Sequence, residues 1–298
     1  MTDKKNKEKN SKTADLAIRC LSGTGIIVLT LALIYAGRPA FAGFVVILGS
    51  LSLYEWTRML VPLPRAGIYQ LSTVLAALTI AVVTFSASVT FMIWAGVLST
   101  LFLMIFMHFR GFDEVISKVV IGFFYIVMSL SYLNLLVMYQ GRMVPSAFGD
   151  MVFQPFDLTV LKIIIAFLFI TVWMSDSMAY VFGRFIGGPK LAPKISPKKT
   201  WAGLIGSMFG AALALIAARQ ILISEYDLTL STMTATVCFG ALLGVIGQVG
   251  DLMVSKAKRR HNIKDMGRLI PGHGGVLDRI DALLLIIPFY VFTAFAIL

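Results

Sequence analysis

Apolar residues run along this chain in stretches of about twenty, broken by short polar interruptions. An α-helix needs about 20 mostly apolar residues to cross a bilayer. Nine stretches meet that length, at 17–36, 40–57, 68–87, 90–109, 119–139, 160–181, 201–222, 232–254 and 276–297. The pattern predicts an all-α polytopic membrane protein of about nine transmembrane helices. Almost nothing separates the third stretch from the fourth, which predicts a tight hairpin. Gly203, Gly206 and Gly210 in the seventh, and Gly240, Gly244 and Gly247 in the eighth, form small-residue rows suited to close helix packing.

The basic residues orient the stack. With the N-terminus inside, the cytoplasmic segments collect five tail lysines, Arg58 and Arg65, Arg110 and Lys118, five residues from Arg184 to Lys199 and six from Lys256 to Arg268. The outside loops hold Arg38 and Arg142. This bias predicts a cytoplasmic N-terminus and an external C-terminus. Residues 1–15 read as a disordered basic tail, 16–140 as N-terminal transmembrane helices, and 141–298 as a C-terminal catalytic region with cytoplasmic loops at 183–200 and 255–275. No removable signal peptide is expected. The compact chain suggests a bacterial cell (inner) membrane.

Composition agrees: 58% of residues are hydrophobic and 14% charged, with a mean hydropathy of +0.87. One soluble core is excluded. The net charge of +11 follows from inside-positive topology and attraction to anionic lipid, so no nucleic-acid partner is needed. Cys20 and Cys238 lie far apart in apolar stretches and read as small buried hydrophobes.

Ionisable groups at a membrane edge are costly and read as functional. Asp278 and Asp281 are three residues apart in the first turn of the ninth helix and share a face. Capping needs one acid; a second on the same face after a glycine-rich turn points to a metal. Asp251 falls at the predicted end of the eighth span, where an acid opposes the helix dipole. It needs a cation, either a metal or a base such as Lys256 or Arg259. Magnesium favours one or two carboxylates plus substrate phosphates. Asp251, Asp278 and Asp281 suit that role, with room for a second cation.

Gly272-His273-Gly274-Gly275 follows Pro271 and opens onto a helix N-terminus, a ready anion site. His273 suits a phosphate donor, a structural donor or a general base. Lys194, Lys198 and Lys199 surround Ser196 in a loop stiffened by Pro189, Pro193 and Pro197, and suit a polyphosphate or lipid phosphate. Thr200 is placed to cap the seventh helix. Asp176, between Ser175 and Ser177 in an apolar helix, suits a metal ligand, a nucleotide contact or an interhelical hydrogen bond. Glu55 and Arg58 either pair with each other or bound a lipid cavity.

The pattern S-x-x-K-R-x4-K-D-x-G-x2-I-P-x-H-G-G-V-x-D-R-I-D, Ser255 to Asp281, resembles the signature of the phosphatidate cytidylyltransferases. The stretches from Pro189 to Trp201 and from Asp176 to Tyr180 resemble that family too. Ala257 departs from it, since a bulkier apolar residue is usual there. The resemblance covers roughly the C-terminal 40% of the chain. It implies that CTP and phosphatidic acid react, with magnesium and a monovalent cation such as K+, in a homodimer embedded in the bilayer. It assigns Asp251, Asp278 and Asp281 to the metal, and Lys194, Lys198, Lys199 and Lys264 to phosphates. Ser196 and Thr200 become donors, and His273 with Gly274 and Gly275 contacts the triphosphate. Arg279 binds lipid phosphate or orients an Asp, and Asp176 supports nucleotide or metal. Ser255, Lys256 and Arg259 join the substrate-binding set. Rival readings are a transporter or cation channel, which the clustering of charges on one face opposes, and cytidylyl transfer to another lipid phosphate.

Overall fold

A computed structural model describes residues 21–61, 67–86, 88–139, 141–145, 151–155, 157–226, 232–272 and 274–297. The expected basic tail, Cys20 and His273 lie outside the described residues. Nine helices occur among them. The first four are α1 (Leu21–Ala36), α2 (Arg38–Leu60), α3 (Gly67–Ser86) and α4 (Val89–Phe109). They are followed by α5 (Asp113–Met138), α6 (Leu158–Phe185), α7 (Trp201–Tyr226), α8 (Met233–Arg260) and α9 (Leu277–Ile297). Seven of them, α2 to α8, are long and apolar enough to cross a bilayer. The α3–α4 hairpin is as tight as expected, with Ser88 capping α4 by accepting from the Phe91 amide at 3.3 Å.

Two features differ from the expectation of helices joined by loops. First, short antiparallel hairpins are present: β1 (Gly141–Pro145) pairs with β2 (Met151–Pro155), and β3 (Lys190–Ala192) with β4 (Ser196–Thr200). Pro193 has no N–H to give a ladder, so the chain turns there, and the Ile195 amide closes the turn on Ala192 O at 3.1 Å. The lysine-rich segment is therefore a hairpin braced on both sides. Second, α6 and α8 run past their predicted ends, to Phe185 and Arg260. Lys, Ala and Arg are good helix formers, and Lys258, Arg259 and Arg260 in the last turn offset the negative end of the dipole. Asp251 thus sits well inside α8, and the expected 255–275 loop begins only at His261.

Helices α2 to α5 pack as one group and α6 to α9 as another. Helix α9 serves both, lying against α8 and α6 on one side and α5 and α2 on the other. The glycine rows let backbones touch, as expected. A Cβ on Gly206 would stand 2.4 Å from Met178 O, and one on Gly244 2.6 Å from Ser207 O. At Gly250 it would meet Asp281 O at 2.8 Å, so this glycine lets α8 and α9 close where both carry acids. Gly244→Leu should separate α7 from α8, because the obstacle is backbone that cannot move aside. Overpacking costs about 1–3 kcal/mol where a core can adjust, and here the loss should reach the upper end. A lowered melting temperature in detergent checks this.

Candidate active site

Four elements meet at one end of the C-terminal group. Helix α6 brings Asp176, the β3–β4 hairpin brings Lys198, Lys199 and Thr200, α8 brings Asp251 and Lys258, and α9 brings Asp278, Arg279 and Asp281. They line a cavity of about 470 Å³. Asp251, Ser255 and Lys258 occupy positions i, i+4 and i+7 of α8 and so share a face.

Lys199 Nζ lies 2.7 Å from Asp251 Oδ2, and Ser255 Oγ donates to Asp251 Oδ1 at 3.0 Å. The cation that Asp251 requires thus comes from the hairpin, not from Lys256 or Arg259. Lys258 Nζ lies 2.6 Å from Asp278 Oδ1, with both side chains buried. Asp278 Oδ2 accepts from the amides of Met266 at 2.7 Å and Gly275 at 3.0 Å. Asp281, also buried, accepts from the Ala282 amide at 2.9 Å and has no basic side chain in ion-pair range among the described residues. The carboxylates of Asp176, Asp251 and Asp281 lie within Coulombic reach of one another, countered by Lys199, Lys258 and Arg279.

Several of the expected residues have other partners in the structure. Asp278, expected on a metal with Asp251 and Asp281, spends both oxygens on Lys258 and two amides, because it must hold the loop before α9. Among the described residues no group of three His, Cys, Asp or Glu side chains converges tightly enough to cage an ion alone. The α9 N-terminus is not an open anion site: Glu55 of α2 accepts from the amides of Val276 and Leu277 at 3.0 and 2.9 Å. That settles Glu55, which pairs with α9 and not with Arg58. Gly274, at φ 90°, closes a bridge with Ile270, and Gly275 is buried against Glu55. Both therefore shape the loop and do not line the cavity.

Thr200 caps α7 as expected, accepting from the Gly203 amide at 3.0 Å. Arg259 donates to Ile195 O and Ile263 O, which braces the hairpin instead of lining the cavity. Lys194, Ser196 and Lys256 also fall outside the lining: Lys194 lies in the hairpin turn, Ser196 at the first position of β4, and Lys256 off the Asp251–Lys258 face. Lys264 lines a separate hollow of about 640 Å³ with Arg58 and Arg268. Beyond the expected set, Lys258, Arg184, Gln248 and Asp265 line the cavity, and Glu55 takes a role at α9 that its own neighbourhood did not suggest. The i+7 spacing from Asp251 was the signal for Lys258; Glu55, 221 residues from its partner, offered none.

The family model for the cytidylyltransferases matches residues 17–297, and the chain belongs to that family. A phosphatidate cytidylyltransferase of Brucella abortus biovar 1 (strain 9-941) is 47% identical over 130 residues, covering 44% of this chain and 44% of the relative. One from Brucella melitensis biotype 1 is 46% identical over 135 residues, 44% of each chain. One from Rickettsia typhi is 42% identical over 132 residues, covering 43% of this chain and 57% of the relative. The chain thus spans about half the length of the relatives it matches.

Lys258→Met should be costly, since it strands a buried carboxylate. Breaking such a pair typically costs about 3–5 kcal/mol. Asp278→Asn keeps an acceptor for the two amides and should cost less. Thermal unfolding in detergent, read for both variants, checks the order.

Proposed function

We propose that this protein transfers the cytidylyl group of CTP to phosphatidic acid, giving CDP-diacylglycerol and pyrophosphate, in the cavity where α6, α8, α9 and the β3–β4 hairpin meet. The observation that carries the proposal is a buried set of paired acids and bases at a membrane-helix end, in a chain of the cytidylyltransferase family. The phosphatidate-specific names of the relatives favour this lipid over other lipid phosphates.

A phosphate oxygen of the lipid attacks the α-phosphorus of CTP. A new P–O bond forms as the bond from that phosphorus to the bridging oxygen breaks, and pyrophosphate leaves with the electron pair. Catalysis of this kind is positioning and charge neutralisation, and needs no protein nucleophile. Lys199 and Arg279 are the groups at hand to turn toward phosphate oxygens, with Lys198 and Arg184 at the rim. Lys199 leaves Asp251 as it does so, and Ser255 keeps that carboxylate aimed. Tyr180 and Trp201, at the ends of α6 and α7, are 63% and 53% exposed and suit the acyl chains of a lipid entering sideways.

The lining suits magnesium. Its five carboxylates and five basic side chains cancel formally, so an incoming triphosphate brings charge that the lining alone does not neutralise. Asp281, without a basic partner, and Asp251, once released by Lys199, would hold the ion, with Asp176 behind them. Bound there, it would screen the phosphates and stabilise the leaving pyrophosphate. The proposal extends to a monovalent companion such as K+, to a homodimer, and to a site on the cytoplasmic side, which the distribution of Lys and Arg supports.

The test is transfer of label from CTP carrying ³²P at the α-phosphate into lipid, with phosphatidic acid and magnesium, in detergent. Labelled CDP-diacylglycerol should form and should stop when the metal is chelated. Asp281→Asn and Lys199→Met should each lose about 10²–10³-fold in rate, the range for removing one charge-stabilising group. Product mass separates phosphatidic acid from other acceptors, and absence of label in every lipid phosphate offered would overturn the proposal.

A further inference from the structure

Helix α9 delivers Arg279 and Asp281 to the cavity, and of the amides at its start its own first-turn acid, Asp278, reaches back only to that of Gly275. The residue before Leu277 is Val276, whose side chain has no oxygen, and helix starts normally satisfy their free amides with a nearby Ser, Thr, Asp or Asn. Here two of them are satisfied from the other half of the protein. Glu55, 2% exposed near the end of α2, accepts from Val276 N with one oxygen and Leu277 N with the other. The fit around this carboxylate is tight on two sides. A Cβ on Gly267 would stand 2.4 Å from Glu55 Oε1, and one on Gly275 2.5 Å from Oε2. The loop before α9 therefore folds around a carboxylate that lies more than 200 residues earlier in the chain. No basic side chain forms an ion pair with Glu55 among the described residues, so the two amides and the positive end of the α9 dipole are what hold its charge.

We infer that Glu55 is a positioning residue for the cavity: it pins the first turn of α9 and so sets where Asp281 and Arg279 stand relative to Asp251. Glu55 does not itself line the cavity. It is one point at which the N-terminal helices act on chemistry carried by the C-terminal ones. The inference rests on cytidylyl transfer at that cavity only for its effect on rate; the pinning stands on its own.

Two variants attack the contact from opposite sides. Glu55→Gln keeps the shape but turns one acceptor into a donor facing an amide. Gly275→Ala leaves Glu55 intact and pushes a methyl group into it. Hydrogen–deuterium exchange of the amides at 275–281, read in the full-length protein in detergent, should accelerate at least about tenfold in both, with little acceleration elsewhere. Turnover should fall about tenfold or more in both, with the KM for CTP within about twofold of wild type and the melting temperature lowered by only a few degrees. The double variant should lose scarcely more than either single, as two changes at one contact do. Unchanged exchange in Glu55→Gln would overturn the pinning. Accelerated exchange with wild-type turnover would reduce Glu55 to a structural cap and overturn the positioning role. If the wild-type protein itself labels no lipid, the functional proposal falls, and the exchange result alone decides the inference.

Discussion

A charge buried at the end of a helix bundle must find its opposite within a few ångströms, and most of the site's architecture follows from that constraint. Lys258 and Asp278 meet between α8 and α9 where both are shielded from water. Such a pair is weak evidence for net stability, because desolvation offsets the attraction. What it does fix is register. With Asp278 bound to Lys258 and to two loop amides, α9 has one rotation and one height against α8. The close approach at Gly250 then brings Asp281 and Asp251 into one cavity. Remove the pair and the two acids lose their shared reference.

The same requirement explains why the hairpin belongs to the site. Asp251 lies in the interior of α8, away from the helix end that the hydrophobic pattern suggested, and the bases expected to serve it on α8 point elsewhere. Lys199 reaches it from β4 instead. The hairpin is in turn fixed by Arg259, which donates to Ile195 O from the α8 end. A residue expected to bind substrate thus acts one contact further out, on the strand pair that holds the residue able to touch it.

Much of this was legible in the amino-acid sequence alone. Nine apolar stretches located the helices to within a few residues, since span length is set by bilayer thickness and not by tertiary detail. The polar set was legible because most of it is contiguous, from Asp251 to Asp281, and because an acid in an apolar helix is conspicuous, as with Asp176. Three things were not. Helix ends drifted where Lys, Ala and Arg extend α8 without adding hydrophobicity. The division of labour between Asp278 and Asp281 depends on the fold of the loop, which two acids on one helix face do not reveal. Glu55 was invisible as a cap because nothing in its neighbourhood refers to a helix start 221 residues away.

The cancelled charge of the lining has one more consequence. Opposite charges set side by side produce a field that dies away much faster than that of a net charge, so the cavity is nearly silent to anything in bulk solvent. Attraction of a distant polyanion is left to exposed bases around it: Lys194 on the hairpin, Lys256 and Arg260 on α8. The protein therefore separates reach from grip. The exposed bases act across a Debye length and yield to salt. The paired groups inside act only at contact, behind low-dielectric walls where dissolved ions have little influence.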